Sequence, residues 1–221
     1  MTLDSFLELL DTLLGENGCP WDRVQTHESL RENMIEECYE AAEAIDSKNM
    51  DSLCEELGDV FLQVAFHAKI AEKSGAFTME DIIAGVADKV ISRHSHIFGN
   101  DKAESAEDAV RVWEANKHKG INPGQAMRSV PKALPALMRT AKVLKRSATA
   151  VPPTHELYDN INATLAQLSV AKDGHFEIYG KLLLLLVRLS TILEINAEFS
   201  LTNAVEEFIN TNIVGSPAKS G

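Results

Sequence analysis

Residues 55–68 read EELGDVFLQVAFHA, a stretch that predicts a helix with one apolar side and one acidic side. Glu56 and Asp59 stand three residues apart and therefore share a face of that helix. Apolar residues recur at helical spacing, which is typical of a helix that buries one side: Leu57, Val60, Phe61, Val64, Ala65 and Ala68. The helix is predicted over residues 52–73, with Asp51 as its N-cap.

An upstream helix, predicted over residues 27–46, has the same design. It carries the acidic run Glu36-Glu37-Cys38-Tyr39-Glu40 among apolar residues. Its predicted buried side consists of Leu30, Met34, Cys38, Ala41 and Ile45. Since only a turn at residues 49–52 separates the two helices, they can lie antiparallel and aim their carboxylates at a shared point.

The carboxylates that this arrangement can bring together are Glu37, Glu40, Glu56 and Asp59. If all were ionised side by side near a core, they would repel one another. A hard divalent cation such as Mg²⁺ relieves that repulsion, because it takes oxygen ligands and bridges to phosphates. The pattern therefore favours a magnesium site, with surface glutamates on a solvated helix face as the alternative.

Three neighbours of these carboxylates are also candidates for a functional role. Glu36 and Glu55 can orient or deprotonate an attacking water, a task suited to a carboxylate beside a cation; exposed or helix-pairing glutamates are the alternative. A glycine inside a helix costs about 1 kcal/mol relative to alanine. We therefore expect Gly58 to have a packing role, in which it lets the two helices approach closely.

Most of the remaining sequence also has helical periodicity. Gly75 is the predicted stop of the second acidic helix, and Thr78 with Asp81 forms a predicted capping box for the next. The other predicted helices span 2–15, 78–93, 105–113, 133–147, 155–171, 175–196 and 200–212. The sequence thus predicts an all-α protein: a four-helix-bundle-type domain at 1–119, a linker at 120–132, a second helical domain at 133–215 and a flexible tail at 216–221.

The second half of the chain contains a diverged copy of the acidic helix. Residues 177–184, EIYGKLLL, align with residues 55–62, EELGDVFL, at an offset of 122 residues. The copy has lost its acidic cluster: at this offset Glu56 and Asp59 correspond to Ile178 and Lys181. If the turn of the copy is five residues shorter, Glu36, Glu37 and Glu40 correspond to Ala163, Thr164 and Gln167. The carboxylates are therefore not a requirement of the helical hairpin itself, which favours a functional role for them.

The composition excludes several classes of function. A net charge of −12 argues against binding to nucleic acid or to anionic membranes. Cys19, Cys38 and Cys54 match neither a disulfide framework nor a zinc site. The longest apolar run, residues 182–187, is too short to span a bilayer, and the acidic N-terminal segment does not resemble a secretion signal. We expect a cytoplasmic protein.

Two residue pairs, each one helical turn apart, are candidates for contacts with a nucleotide. Lys89 and Arg93 can hold phosphate oxygens, although a basic turn near a helix C-terminus is also favoured by the helix dipole. Trp113 can stack on a base and Lys117 can reach a phosphate. A buried core tryptophan is the alternative for Trp113.

The histidines do not form a recognisable metal site. His94 and His96 lack a third ligand at suitable spacing, so we expect a helix-terminal role for them. His67 lies on an apolar helix and is predicted to be an interior histidine with its hydrogen bonds satisfied.

The ordered set of motifs in residues 1–119 resembles the MazG-type nucleoside triphosphate pyrophosphohydrolases. The matching segments are Gly18–Asp22, Glu36–Glu40, Glu55–Asp59, Asp88–His94, His96–Phe98 and Val112–Glu114. Residues 131–138, PKALPALM, resemble the segment between the two repeats of that family. The resemblance implies two related all-α domains and a homodimer.

The resemblance also implies an activity: cleavage of an NTP or dNTP between its α and β phosphates, giving a nucleoside monophosphate and pyrophosphate. The implied cofactor is Mg²⁺, with Mn²⁺ as a substitute, held by Glu37, Glu40, Glu56 and Asp59. The implied nucleotide contacts are Asn33, Lys89, Arg93 and Trp113. In some two-domain relatives the second domain is catalytic, but here only the first domain retains the charged site residues.

The mechanism expected from these residues is in-line attack by an activated water, with Lys89 and Arg93 stabilising the pyrophosphate leaving group. Two alternative functions stay open. One is a non-catalytic helical regulator that binds a nucleotide or a protein partner. The other is a narrower dNTP or phosphoribosyl-ATP pyrophosphohydrolase that uses the same metal chemistry.

Overall fold

The computed structural model describes residues 1–147 and 152–213. Within those residues the fold consists of α-helices and one 3₁₀ turn, with no strand, so the predicted all-α class is confirmed. The helices are α1 Leu3–Leu14, α2 Arg31–Asp46, α3 Met50–Lys73, α4 Met79–Arg93, α5 Ser95–Phe98, α6 Ala106–Lys117, α7 Pro123–Arg128, α8 Ala136–Arg146, α9 Thr154–Val170, α10 His175–Ile192 and α11 Ala197–Ile213; the 3₁₀ turn is Asp22–Val24.

The chain divides into two compact units, Met1–Asn116 and Lys117–Gly221. In the first unit α3 is the central element, and α1, α2 and α4 each pack against it. The core cluster consists of Leu7, Leu10, Leu14, Leu30, Ala65, Phe66, Ala68 and Met79. None of the described helices is long and apolar enough to cross a membrane.

A buried lysine fixes α1 to α3. Lys69 is only 9 % exposed, and its Nζ lies 2.8 Å from Asp11 Oδ2 and 2.9 Å from Glu72 Oε2. One turn later, Lys73 Nζ donates to the carbonyl oxygen of Leu14 at 2.5 Å. The charge of the buried Lys69 is therefore neutralised by Asp11 and Glu72, as burial of an ammonium group requires.

The helix ends follow the capping signals only in part. Thr78 and Asp81 form the predicted capping box, and Gly75 has a left-handed φ of +70° just after α3, as predicted. The prediction of Asp51 as the N-cap of α3 is wrong. Asn49 is the N-cap, because its Oδ1 accepts from the backbone N–H groups of Asp51 and Ser52.

The start and the buried side of α2 also differ from prediction. The helix begins at Arg31 rather than near residue 27, because reciprocal side-chain bonds between Thr26 and Ser29 satisfy the preceding backbone in a turn. Cys38 and Ile45 are exposed, and Ala41 and Ala44 are the buried residues of the helix. Small side chains lie between α2 and α3, so the two helices approach closely at these positions.

The second unit contains a further helical hairpin. α9 packs against α10 around Leu157, Ile161, Leu182 and Leu185. α8 packs against α7, α10 and α11. The region predicted as a linker at 120–132 holds α7, which has Pro123 at its first position and a buried Ala126. The predicted domain bounds stay predictions, and the tail at 216–221 lies outside the described residues.

Two histidines connect the segment before α2 to α3. The Nδ1 atoms of His27 and His67 are 2.7 Å apart, and the two rings stack with centroids 5.0 Å apart. His67 thus has a hydrogen-bonding partner, as predicted for an interior histidine. Partial burial, and secondly the nearby His27, lower the pKa of His67 below the ordinary histidine value.

We predict that this pair makes the fold sensitive to acid. Because the pKa of His67 is lower in the folded than in the unfolded state, the unfolded chain binds more protons below about pH 6.5, and the free energy of unfolding falls with pH. Replacing His67 with Gln should make this decline shallower, as measured by urea unfolding at a series of pH values without metal. The matched control is His175→Gln, at an exposed position of α10; equal slopes for wild type and the His67 variant would contradict the prediction.

Candidate metal centre

The α2–α3 hairpin holds the predicted acidic positions on facing helices. Only three residues, Ser47 to Asn49, separate the two helices. Lys48 takes a left-handed φ of +57°, and its N–H donates to the carbonyl oxygen of Ile45 while that of Asn49 donates to Ala44. These bonds close the end of α2 and turn the chain back along it.

The hairpin brings three of the four predicted metal ligands together. Glu37, Glu56 and Asp59 each offer a carboxylate oxygen, and these oxygens all lie within 4.8 Å of one another. All three residues are half-buried. Of the described residues, this is the one group of three or more histidine, cysteine or acidic side chains placed to hold a metal ion.

Electrostatics show how closely the carboxylates interact. Desolvation, followed by the charges of Asp59, Glu40 and Glu56, raises the pKa of Glu37. Desolvation and the neighbouring carboxylates, led by Glu40, raise the pKa of Glu56 as well. Glu40 is exposed and lies outside the group of three, but it acts on both glutamates. The four carboxylates therefore form one electrostatic unit, whose repulsion a cation would relieve.

The residues that flank this unit include both exposed and half-buried side chains. Glu36 and Glu55 are exposed and lie outside the group of three. Asn33 is half-buried on α2, one turn before Glu37. The expectation for Gly58 is wrong: a Cβ at this position would meet no atom within 4 Å, so the glycine is not required for close approach of α2 and α3.

The predicted nucleotide contacts on α4 and α6 form a second group. The guanidinium carbon of Arg93 lies over the ring of Trp113, 5.3 Å from its centroid, which is a cation–π contact. Lys89 is exposed one turn earlier, and neither it nor Arg93 pairs with a carboxylate in the described part of the chain. Lys117 is the last residue of α6, one turn beyond Trp113.

The second hairpin shows what the fold looks like without the carboxylates. Thr164, which the predicted repeat aligns with Glu37, is buried and donates its hydroxyl to the carbonyl oxygen of Asn160 at 2.7 Å. This hydrogen bond lies within α9, and the cluster between α9 and α10 is apolar. A hairpin of this kind is therefore stable without an acidic cluster.

The structure adds residues to the region that sequence patterns did not identify. Gln63 follows Asp59 by one turn on α3 and is buried, yet its Oε1 accepts no hydrogen bond. His27, which precedes α2, bonds to His67, which lies on α3 like Gln63. A polar residue among Phe61, Leu62 and Val64 was a signal for Gln63, since glutamine is seldom buried without a partner. His94 has the predicted helix-terminal role: it ends α4, and its Nδ1 lies 2.7 Å from the carbonyl oxygen of Val90.

Comparison with known proteins establishes the family. Residues 25–98, which include the whole acidic hairpin, match the MazG nucleotide pyrophosphohydrolase domain. A nucleoside triphosphate pyrophosphohydrolase/pyrophosphatase MazG of Thermotoga maritima is 39 % identical over 214 residues, which is 93 % of this chain and 82 % of that protein. The chain belongs to the MazG family. The family predicted from the sequence motifs is thus confirmed.

Further relatives agree with this membership. The nucleoside triphosphate pyrophosphohydrolase of Escherichia coli K12 is 35 % identical over 220 residues, covering 93 % of this chain and 84 % of that protein. An uncharacterized protein, YabN, of Bacillus subtilis is 47 % identical over 143 residues, or 64 % of this chain. The aligned part amounts to only 29 % of YabN.

We predict that removing one carboxylate stabilises the metal-free fold. Since the folded-state pKa of Glu37 is raised, its ionisation at rising pH disfavours the folded state. Glu37→Gln should therefore raise the melting temperature by about 1–3 °C at neutral pH in a chelator, because relief of repulsion at a half-exposed site is worth a fraction of a kcal/mol.

The matched control for this prediction is Glu43→Gln, at an exposed position on the same helix. It should change the melting temperature less than Glu37→Gln does. A lower melting temperature for Glu37→Gln in the chelator would show that the carboxylate supports the fold instead of straining it.

Proposed function

We propose that this chain hydrolyses nucleoside triphosphates, ribo or deoxy, between the α and β phosphates to a nucleoside monophosphate and pyrophosphate. The observation that carries the proposal is the convergence of Glu37, Glu56 and Asp59, whose oxygens lie within 4.8 Å of one another. It occurs within the segment that matches the family domain, and the α9–α10 hairpin, which the sequence predicts to be a diverged copy, has no such group among its described residues.

The donor set fits a hard divalent cation. All four predicted ligands are carboxylates, which suit Mg²⁺ or Mn²⁺ and offer none of the sulfur or nitrogen donors that select zinc. The raised pKa values of Glu37 and Glu56 also support a cation site, because a bound cation would offset the repulsion between these carboxylates. When bound, the metal would polarise the phosphate oxygens and lower the pKa of the attacking water.

The protein side chains have separate tasks in this proposal. Glu37, Glu40, Glu56 and Asp59 hold the cation, and Glu36 or Glu55 accepts the proton of the attacking water. Both candidate bases are exposed at the edge of the cluster, where solvent can take the proton onward. Water attacks the α phosphorus, and the bond from that phosphorus to the bridging oxygen of pyrophosphate breaks.

The α4–α6 group is proposed to bind the nucleotide. Arg93 and Trp113 already face one another, so a base can stack on this pair while the guanidinium N–H groups donate to a phosphate. Lys89, one turn before Arg93, adds a second cation for the leaving pyrophosphate. Asn33 is assigned to nucleotide binding on the resemblance to the family, and Lys117 on its spacing of one turn from Trp113.

A second copy of the chain is the proposed partner. Leu57 and Phe61 on α3 are 53 % and 42 % exposed, although periodicity placed them on its buried side. Further exposed apolar side chains on α2 and α4 are Ile35, Tyr39, Ile83, Val86 and Val90. An exposed apolar surface of this extent marks an interface, and a dimer that adds helices across it would complete the bundle expected for the first domain.

We predict that Glu56→Gln abolishes turnover without unfolding the protein. Removing one ligand charge should lower Mg²⁺-dependent pyrophosphate release at least 100-fold, while the helical circular dichroism spectrum stays unchanged. Pyrophosphate release is measured for each NTP and dNTP with Mg²⁺, with Mn²⁺ and in a chelator, and Glu43→Gln is the matched control. Undiminished release by Glu56→Gln would overturn the assignment.

The same assay separates the alternatives. A regulator that only binds nucleotide would release no pyrophosphate from any substrate. A narrower enzyme would act on dNTPs alone or on phosphoribosyl-ATP alone. Cleavage at the α–β bond is read from the products, since a nucleoside diphosphate and phosphate would indicate cleavage at the β–γ bond instead.

We predict that the chain is a dimer in solution. Light scattering coupled to size exclusion should give twice the chain mass of 24.3 kDa. Replacing Phe61 with Lys should shift the protein toward the single-chain mass, because a charge would be buried in the interface. A single-chain mass for the wild-type protein at micromolar concentration would contradict the prediction.

A further inference from the structure

Gln63 is a buried amide whose hydrogen bonding the protein leaves incomplete. The side chain belongs to a residue that is only 7 % exposed, and among the described residues no donor reaches its Oε1. Buried polar atoms are nearly always paired, because an unpaired one loses its hydration without compensation. A buried acceptor of this kind therefore calls for a specific donor.

The position of Gln63 points to the carboxylate cluster. It follows Asp59 by four residues and Glu56 by seven, so the three side chains share one face of α3. That face turns toward α2, since Glu37 on α2 lies against Glu56 and Asp59. Gln63 is thus the first polar residue that follows the acidic cluster along α3.

The polar groups nearest along α3 do not supply the missing donor. Asp59, when ionised, only accepts hydrogen bonds. His67, one turn beyond Gln63, has its Nδ1 engaged with His27 at 2.7 Å, and neither of its ring nitrogens donates to Gln63 Oε1. Lys69, the remaining buried polar residue of the helix, is paired with Asp11 and Glu72. Since no group of the described residues donates to this oxygen, a water or another bound group is the source that the geometry leaves for the donor.

We propose that Gln63 is a positioning residue of the metal centre, whose side-chain carbonyl accepts a hydrogen bond from a water that hydrates the bound divalent cation. This inference rests on the proposed function. Mg²⁺ keeps several waters when proteins bind it, and each such water directs its hydrogens away from the cation. A fixed acceptor on the rigid helix α3 then orients one water and raises the affinity for the hydrated ion.

The test uses Gln63→Met, which keeps the length of the side chain and removes both the carbonyl and the NH₂ of its amide. The half-saturating Mg²⁺ concentration for pyrophosphate release should rise about 10–100-fold, as is typical when a hydrogen-bonding partner of a metal ligand is lost. Mg²⁺ binding without nucleotide, measured by calorimetry, should weaken to a similar extent. In a chelator the melting temperature should be unchanged or higher, because the unpaired oxygen is gone.

Two further variants complete the design. Gln63→Glu keeps an acceptor oxygen in place and should recover most of the Mg²⁺ affinity that Gln63→Met loses. Gln167→Met makes the same chemical change at an exposed position of α9 and should leave Mg²⁺ binding and melting temperature unaltered.

The outcomes that overturn the inference are distinct. A purely structural Gln63 would give a lower melting temperature in the chelator and an unchanged Mg²⁺ affinity for Gln63→Met. An amide that instead donates to Asp59 would make Gln63→Glu weaker in Mg²⁺ binding than Gln63→Met. If wild-type protein binds Mg²⁺ and releases pyrophosphate while Gln63→Met matches it, the inference fails and the proposed function stands; if the wild-type protein does neither, both fail.

Discussion

Repulsion among carboxylates on two facing helices is the constraint around which the first unit is organised. Glu37, Glu56 and Asp59 come within 4.8 Å of one another, and desolvation together with their charges raises the pKa of both glutamates. Such a cluster destabilises the fold that contains it unless a cation is bound. The hairpin must therefore be held by packing elsewhere, and it is: α3 carries the core that also joins α1 and α4, with Lys69 fixed between two acids.

Comparison of the α2–α3 and α9–α10 hairpins indicates which side chains a hairpin of this kind requires for folding and which it does not. In the second unit, Thr164, which the predicted repeat aligns with Glu37, bonds within its own helix, while leucines and an isoleucine fill the contact between α9 and α10. The hairpin of the first unit has the acids instead, and only alanines are fully buried along α2. A protein retains strain of this kind where function requires it, which agrees with membership in a family of nucleotide pyrophosphohydrolases.

The polar face of α3 is longer than its acidic part. Beyond Asp59 it continues through Gln63, whose oxygen is buried without a donor, to His67, which bonds to His27. Ligands placed on rigid helices and supported by further polar residues hold a metal more accurately than ligands on loops. The helix thus provides both the charges of the site and the groups that can orient what binds there.

The sequence by itself determined the longer helices, most of their ends and the faces on which the acids lie, but it predicted neither the short helix α5 nor α7. Helical spacing is a local property, so Glu56 and Asp59 could be assigned to one face, and Thr78 with Asp81 to a cap, from their separation alone. The motifs also sufficed for the family, because their order along the chain is specific. The loss of the acids in the second half was equally visible in the residues themselves.

Only the tertiary structure decided which of those residues meet. Burial depends on how far apart two helices lie and how they are rotated, and residue spacing specifies neither. For this reason Ala44 is buried where Ile45 was expected, an added Cβ at Gly58 would face open space, and Glu40 lies outside the group of three. The unpaired oxygen of Gln63 is likewise a property of packing, because a side chain is left without a partner only by the particular neighbours that surround it in space.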